Sequence, residues 1–197
     1  LRLCAASAAY VEDFGSERPW FANYWNANGF IEIAQDQENR TRFARCPEPA
    51  GAGLYELDVA IVTDTGDRTG GRITGLAGIE FRSSESDEEK WSYAILFDQD
   101  GRYAFFTLSP SRDTWTYLRG GETRAIRTGL GKINRIEVEF GERNTYVRFN
   151  DGDRIGVNAM IPRGGSVCCT VFNLEGTTAA RFDNLCFGDV SSSPMGD

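Results

Sequence analysis

Histidine is absent from this chain of 197 residues. Its absence removes imidazole acid–base catalysis, Ser-His and Cys-His nucleophiles, and imidazole metal ligands. Lysine is nearly absent too. Lys90 and Lys132 stand alone, and the other 19 of 21 cationic side chains are arginines. Guanidinium groups suit bidentate contacts with carboxylates. Positive charge is in deficit: the formal net charge is −8. Phosphate binding depends on Lys and Arg, and no basic cluster interleaved with aromatics emerges, so nucleic acid is disfavoured as a partner. No stretch approaches the ~18 apolar residues of a membrane helix, which argues against membrane insertion. No CxxC pair exists, so zinc-finger and thioredoxin readings fail on spacing.

What is present is material for a β-core. Hydrophobic residues make up 41% and aromatics 12% of the chain, enough to exclude a disordered polypeptide. Ile79 and Phe81 alternate with Glu80 and Arg82. Ile136, Val138 and Phe140 alternate with Arg135, Glu137 and Glu139, and Val147 and Phe149 with Tyr146 and Arg148. A period of two sends one set inward and the other outward. Asp100-Gly101 and Asp151-Gly152 read as hairpin turns, because glycine readily takes positive φ. Gly120-Gly121 and Gly164-Gly165 read as further turns, and Thr63–Gly75 as a long polar loop between strands Tyr55–Val62 and Leu76–Arg82. No segment has a sustained helical period. The expectation is one all-β sandwich or jelly-roll domain over residues 1–190, with a Ser-, Pro- and Gly-rich tail over 191–197.

The cysteines are Cys4, Cys46, Cys168, Cys169 and Cys186. No histidine is there to activate a thiol, which disfavours a reactive cysteine. Buried free thiols and one or two disulfides then account for them equally well. If bridges form, Cys4 pairs with Cys186, because terminal strands often pair in sandwiches, and Cys46 takes Cys168 or Cys169. Leu1–Tyr10 is small and apolar, suiting a first strand but too short for a complete signal peptide. Asn39-Arg40-Thr41 is a glycosylation sequon, meaningful only on a eukaryotic-type secretory route. A secreted or extracytoplasmic location is the preferred expectation.

A series of short segments then resembles a known fold family. Glu12-Asp13-Phe14 precedes Trp20, Leu54–Val59 suits a core strand, and Gly78-Ile79-Glu80-Phe81-Arg82 follows. Trp91–Tyr103 closes on Asp98-Gln99-Asp100-Gly101-Arg102-Tyr103. Trp115–Leu118, Ile133–Val138, Tyr146–Gly152 and Ala180-Arg181-Phe182-Asp183-Asn184-Leu185 complete the order. This order resembles the concanavalin-A-like, laminin-G-like jelly rolls of secreted bacterial proteins. The resemblance implies two curved antiparallel sheets, one with a concave outer face. It leaves function open, because this fold carries lectins, glycan-binding modules, glycoside hydrolases and adhesive domains.

Several chemistries compete for the site. Retaining glycosidases of this fold place carboxylates in an E-x-D-x-x-E pattern. Glu56-Leu57-Asp58 supplies the first half, but the last position falls on Ile61. A retaining pair must lie ~5–5.5 Å apart. Enzymes acting on 3-keto-glycosides resemble the chain as well, but their chemistry asks for a metal or poised base that no carboxylate cluster here provides. Asp98–Gly101 begins like a calcium loop but lacks the distant bidentate Glu, so a hairpin turn explains it better. Jelly rolls of this type often carry a structural calcium on loops; Asp64–Asp67 and Glu85–Glu89 are the candidates, although solvated acidic loops are commoner. No other cofactor is expected.

Sugars present C–H faces to aromatic rings and hydroxyls to polar side chains. Trp91 with Tyr93, and Trp115 with Tyr117, supply rings at alternating positions, and Glu80 and Arg82 project opposite Ile79 and Phe81. These six form the candidate ligand site. The competing reading packs the rings into the core between the sheets. Trp20, Tyr24 and Trp25 form a second aromatic group that would edge a sugar site or plug one end of the sandwich. The sequence therefore favours a non-catalytic carbohydrate-binding module. A glycoside-acting enzyme and a structural or adhesive subunit with protein partners or self-assembly are the alternatives.

Overall fold

A computed structural model describes residues 8–12, 25–26, 30–50, 53–82, 92–109, 114–140, 145–157 and 165–188. Every regular element among them is a strand: β1 (Ala8–Glu12), β2 (Trp25–Asn26), β3 (Phe30–Gln35), β4 (Arg40–Ala50), β5 (Gly53–Asp64), β6 (Gly75–Arg82), β7 (Ser92–Phe97), β8 (Arg102–Ser109), β9 (Thr114–Glu122), β10 (Asn134–Phe140), β11 (Thr145–Phe149), β12 (Ile155–Val157), β13 (Gly165–Asn173) and β14 (Thr178–Gly188). No described helix is long and apolar enough to cross a membrane.

Two antiparallel sheets face each other. One runs β12-β11-β10-β5-β14-β3-β2 and gains β1 through β14; the other runs β4-β13-β6-β7-β8-β9. The alternation read from the sequence is obeyed where one face meets solvent. Along β10, Ile136, Val138 and Phe140 are buried, with Arg135, Glu137 and Glu139 half-buried between them. The inward sets from both sheets merge into one core. Its centre is a cluster of edge-on rings: Phe81 meets Tyr55 at 5.1 Å and Phe140 at 4.8 Å, and Phe97 meets Phe149 at 6.1 Å. Edge-to-face packing aligns the positive rim of one ring with the negative face of the next.

The hairpin at Asp98–Gly101 forms as expected. Its turn closes through Asp98 N–H to the Arg102 carbonyl at 2.9 Å, with Gly101 at φ 93°. The Asp98 carboxylate is fully buried and accepts the backbone N–H groups of Asp100 and Arg102 and the Arg102 Nε–H. That carboxylate therefore serves the turn. Asp64, at the start of the polar loop over 65–74, accepts hydrogen bonds from Arg68 and Thr74. The other calcium candidate, Glu85–Glu89, lies outside the described residues, as do Cys4, Trp20, Tyr24 and the tail over 191–197.

Two expectations need correction. Gly120-Gly121 is no turn but lies within β9, opposite Ala104 and Tyr103. A Cβ at Gly120 would stand 2.5 Å from the Tyr103 carbonyl oxygen, so glycine is there for close strand approach. The Cys46–Cys168 bridge does not form. Cys168 and Cys169 are buried thiols outside any disulfide, and the register sets Cys168 opposite Arg45. Cys186 is disulfide-bonded. Glu56 and Asp58 take the outward positions of β5 and are buried there, at 5% and 7% exposure.

Candidate ligand-binding face

The site is assembled by the register of the six-stranded sheet. One row across five strands holds Cys168, Glu80, Ala94, Phe106 and Tyr117. The adjacent outward row holds Ser166, Arg82, Ser92 and Trp115. Four of the six residues chosen from sequence thus share one face, with Glu80 and Arg82 on β6 and Tyr117 and Trp115 on the edge strand β9. Tyr93 does not join them. It sits opposite Phe81, whose side chain is in the core, and shares the inward parity of Ile95 and Phe97. Trp91 lies outside the described residues.

Phe106 organises the aromatic end. Trp115, Tyr117 and Phe172 pack edge-on against it at 6.5, 5.9 and 6.1 Å. Behind them Leu76, Ala94 and Leu96 form a small second apolar cluster. Tyr117 remains 59% exposed, the largest exposure of any big apolar side chain described. Phe106 is the member that sequence reading missed. Both faces of β8 carry apolar residues, so alternation gave no sign of which one faced out.

At the other end Glu80 is fully buried. Its Oε1 accepts from Arg82 Nε at 2.6 Å and its Oε2 from Thr170 Oγ1 at 2.8 Å. The Arg82 guanidinium in turn lies 3.5 Å from the Phe43 ring centroid, a cation–π contact. Glu80 thereby holds Arg82 in place. Beside them, burial and the Glu80 charge push the Cys168 thiol up from 9.0 to about 12. The native thiol stays protonated where the unfolded one ionises, so this contribution to stability is intact below pH 9 and is lost as pH climbs toward 12. Native protein at pH 8 should leave Cys168 unmodified by iodoacetamide, and urea-unfolded protein should alkylate it. Modification before unfolding would show that the thiol is accessible.

The carboxylates proposed for hydrolysis are elsewhere. Glu56 and Asp58 face outward from the eight-stranded sheet, and Ile61 points into the core. Asp58 Oδ1 accepts from Arg135 Nε at 3.0 Å, and Glu56 Oε2 lies 4.0 Å from the same guanidinium. Burial alone would lower the Arg135 pKa, but the hydrogen bond to Asp58 and the charges of Asp58, Glu56 and Glu137 raise it. Arg148 pairs with Glu137, and Arg154 with Glu139, continuing a ladder of alternating charge. Among the described residues no group of three or more acidic or cysteine side chains is placed to hold a metal.

No family model and no curated protein matches the sequence. Solved structures do match. The Bacillus licheniformis β-glucanase aligns with a TM-score of 0.63 at 9% identity, over 93% of this chain and 99% of its own. A lichenase from a mouse hindgut metagenome aligns at 0.66 and 10%, over 92% and 99%. The carbohydrate-binding module CBM66 of Bacillus subtilis aligns at 0.55 and 16%, over 77% and 83%. The fold is a concanavalin-A-like jelly roll. At these identities the likeness concerns architecture. Within this jelly roll the outward positions of β7, in the middle of the candidate face, are Ser92, Ala94 and Leu96.

Proposed function

We propose that this chain is a non-catalytic, extracytoplasmic carbohydrate-binding module that holds its glycan on the outer face of the six-stranded sheet. The observation that carries this reading is the exposed Tyr117 ring, set with Trp115 around Phe106 on a face whose central strand presents no acid. A sugar would stack its C–H face on Tyr117 and Trp115, with Arg82 donating to its hydroxyls. Glu80 would act indirectly, by orienting Arg82. In these two rows Glu80 is the single carboxylate, whereas retaining hydrolysis needs two ~5–5.5 Å apart. CBM66 supports a binding role for the fold; the glucanases support carbohydrate as the ligand class.

A glycan array followed by calorimetry tests this. Tyr117→Ala and Trp115→Ala should each weaken binding about tenfold, roughly 1.4 kcal/mol. Tyr93→Phe, altering only an inward ring, should bind as the parent does. Equal affinity in all three variants would rule the face out. Release of reducing sugar, abolished by Glu80→Gln, would replace this reading with a hydrolytic one.

A further inference from the structure

The opposite face of the sandwich carries a cavity that the Tyr117 face does not involve. It is a half-open pocket of about 270 Å3 on the outer side of the eight-stranded sheet. Asp58, Asp183 and Asn184 supply its polar wall, and Phe30 and Ile133 its apolar wall. Drug-sized sites begin near ~300 Å3, so a cavity of this size suits one small ring better than a chain.

The cavity has a structural origin. β5 and β14 are neighbours, but their register slips between Asp183 and Cys186. Such a bulge bends the strand locally and re-aims its side chains. Within it Asn184 adopts φ 53°, a left-handed conformation rarely held by a residue other than glycine. Strain of this kind persists where surroundings impose it, and it gathers at ligand sites. Here Asp183 Oδ1 accepts the Asn184 N–H at 2.7 Å, and Asn184 Nδ2 donates to Asp58 Oδ2 at 2.9 Å. The facing wall is pinned as well: Gly131 N–H donates to the Ile61 carbonyl at 2.7 Å. That anchored turn leaves Ile133 58% exposed at the rim.

Charge narrows the occupant. Asp58 is paired with Arg135, and Arg181, also on the wall, is paired with Glu32 at 2.8 Å. The protein itself answers these two charges, so an ionic ligand gains little from Asp58 or Arg181. Asp58 Oδ1 accepts from Arg135 Nε and keeps a lone pair for a hydroxyl donor, while Ile133 offers apolar surface beside the Phe30 ring, over which the Arg181 guanidinium lies at 4.6 Å. We infer that this cavity is a second binding site, for a neutral polyhydroxylated ring the size of one sugar unit. It goes beyond the proposed glycan face and does not depend on it.

The test is an amide NMR titration of the whole chain with the methyl glycosides of glucose, galactose, mannose and xylose, each added singly. At least one should shift the amides of Gly131, Ile133 and Asn184 saturably, with a Kd on the order of 1 mM. Asn184→Gly keeps the left-handed backbone and removes the amide, so it should weaken those shifts about tenfold. If that variant loses native dispersion, Ala60→Leu, which fills the wall, should abolish them instead. Tyr117→Ala should leave them unchanged, which separates this site from the first. Absence of saturable shifts with all four probes would overturn the inference. So would shifts confined to β9, full binding by Asn184→Gly, or shifts from calcium chloride alone.

Discussion

Arg135→Ala is expected to destabilise the fold by about 3–5 kcal/mol, the usual cost of stranding buried charge. Arg135 is the cation shared by Asp58 and Glu56, whose side chains are only 9% and 6% exposed. Its guanidinium approaches Asp58 through Nε at 3.0 Å and through a second nitrogen at 3.4 Å. Removing it leaves two carboxylates on one strand, two positions apart, with Asn184 still donating to Asp58. Urea denaturation at neutral pH measures the loss. Adding Asp58→Asn and Glu56→Gln to the variant should recover much of it, because the uncompensated charge disappears. A cost under about 1 kcal/mol would show that water screens this pair as it does exposed ones.

Phe81→Ala should cost a comparable amount, about 3–5 kcal/mol, for a different reason. Phe81 has no exposed surface and lies edge-on to both Tyr55 and Phe140. Those rings belong to the opposite sheet, so truncation opens a void where the two layers interlock. For a chain of this length the melting temperature should fall by roughly 6–20 °C. Phe81→Leu keeps much of the apolar volume and should lose distinctly less. A similar midpoint for both variants would mean that the sheets close over the gap, and that the ring contacts contribute little. Phe81 also lies between Glu80 and Arg82 in the chain, so the same variant tests how firmly the core positions that pair.

Much of the architecture was legible because a strand's two faces meet different surroundings. β10 and β11 have a buried face and a charged one, and their alternation reads directly as orientation. β7 and β8 defeat that logic. Ile95, Phe97 and Phe105 enter the main core, while Ala94, Leu96 and Phe106 pack into a second apolar cluster on the outside. Both parities are apolar, so the code is silent, and it does not separate inward Tyr93 from the outward rings of Trp115 and Tyr117. Glycine misled for a related reason. At Gly101 it marks a turn through positive φ; at Gly120 it marks close contact with the Tyr103 carbonyl inside a strand. Composition alone does not distinguish the two uses.

The sequence by itself determined the class of the molecule: a histidine-free, acidic, all-β chain, whose motif order also resembles a jelly-roll family. Charge, composition and strand alternation are local, carried by residue chemistry and by a period of two. The tertiary structure alone decided which aromatics meet solvent, that Glu80 is spent on Arg82, and that a bulge at Asn184 opens a cavity on the far sheet. Each of these depends on the register between strands distant in the chain. Register is settled by the packing of two sheets against each other, a condition that no single strand records.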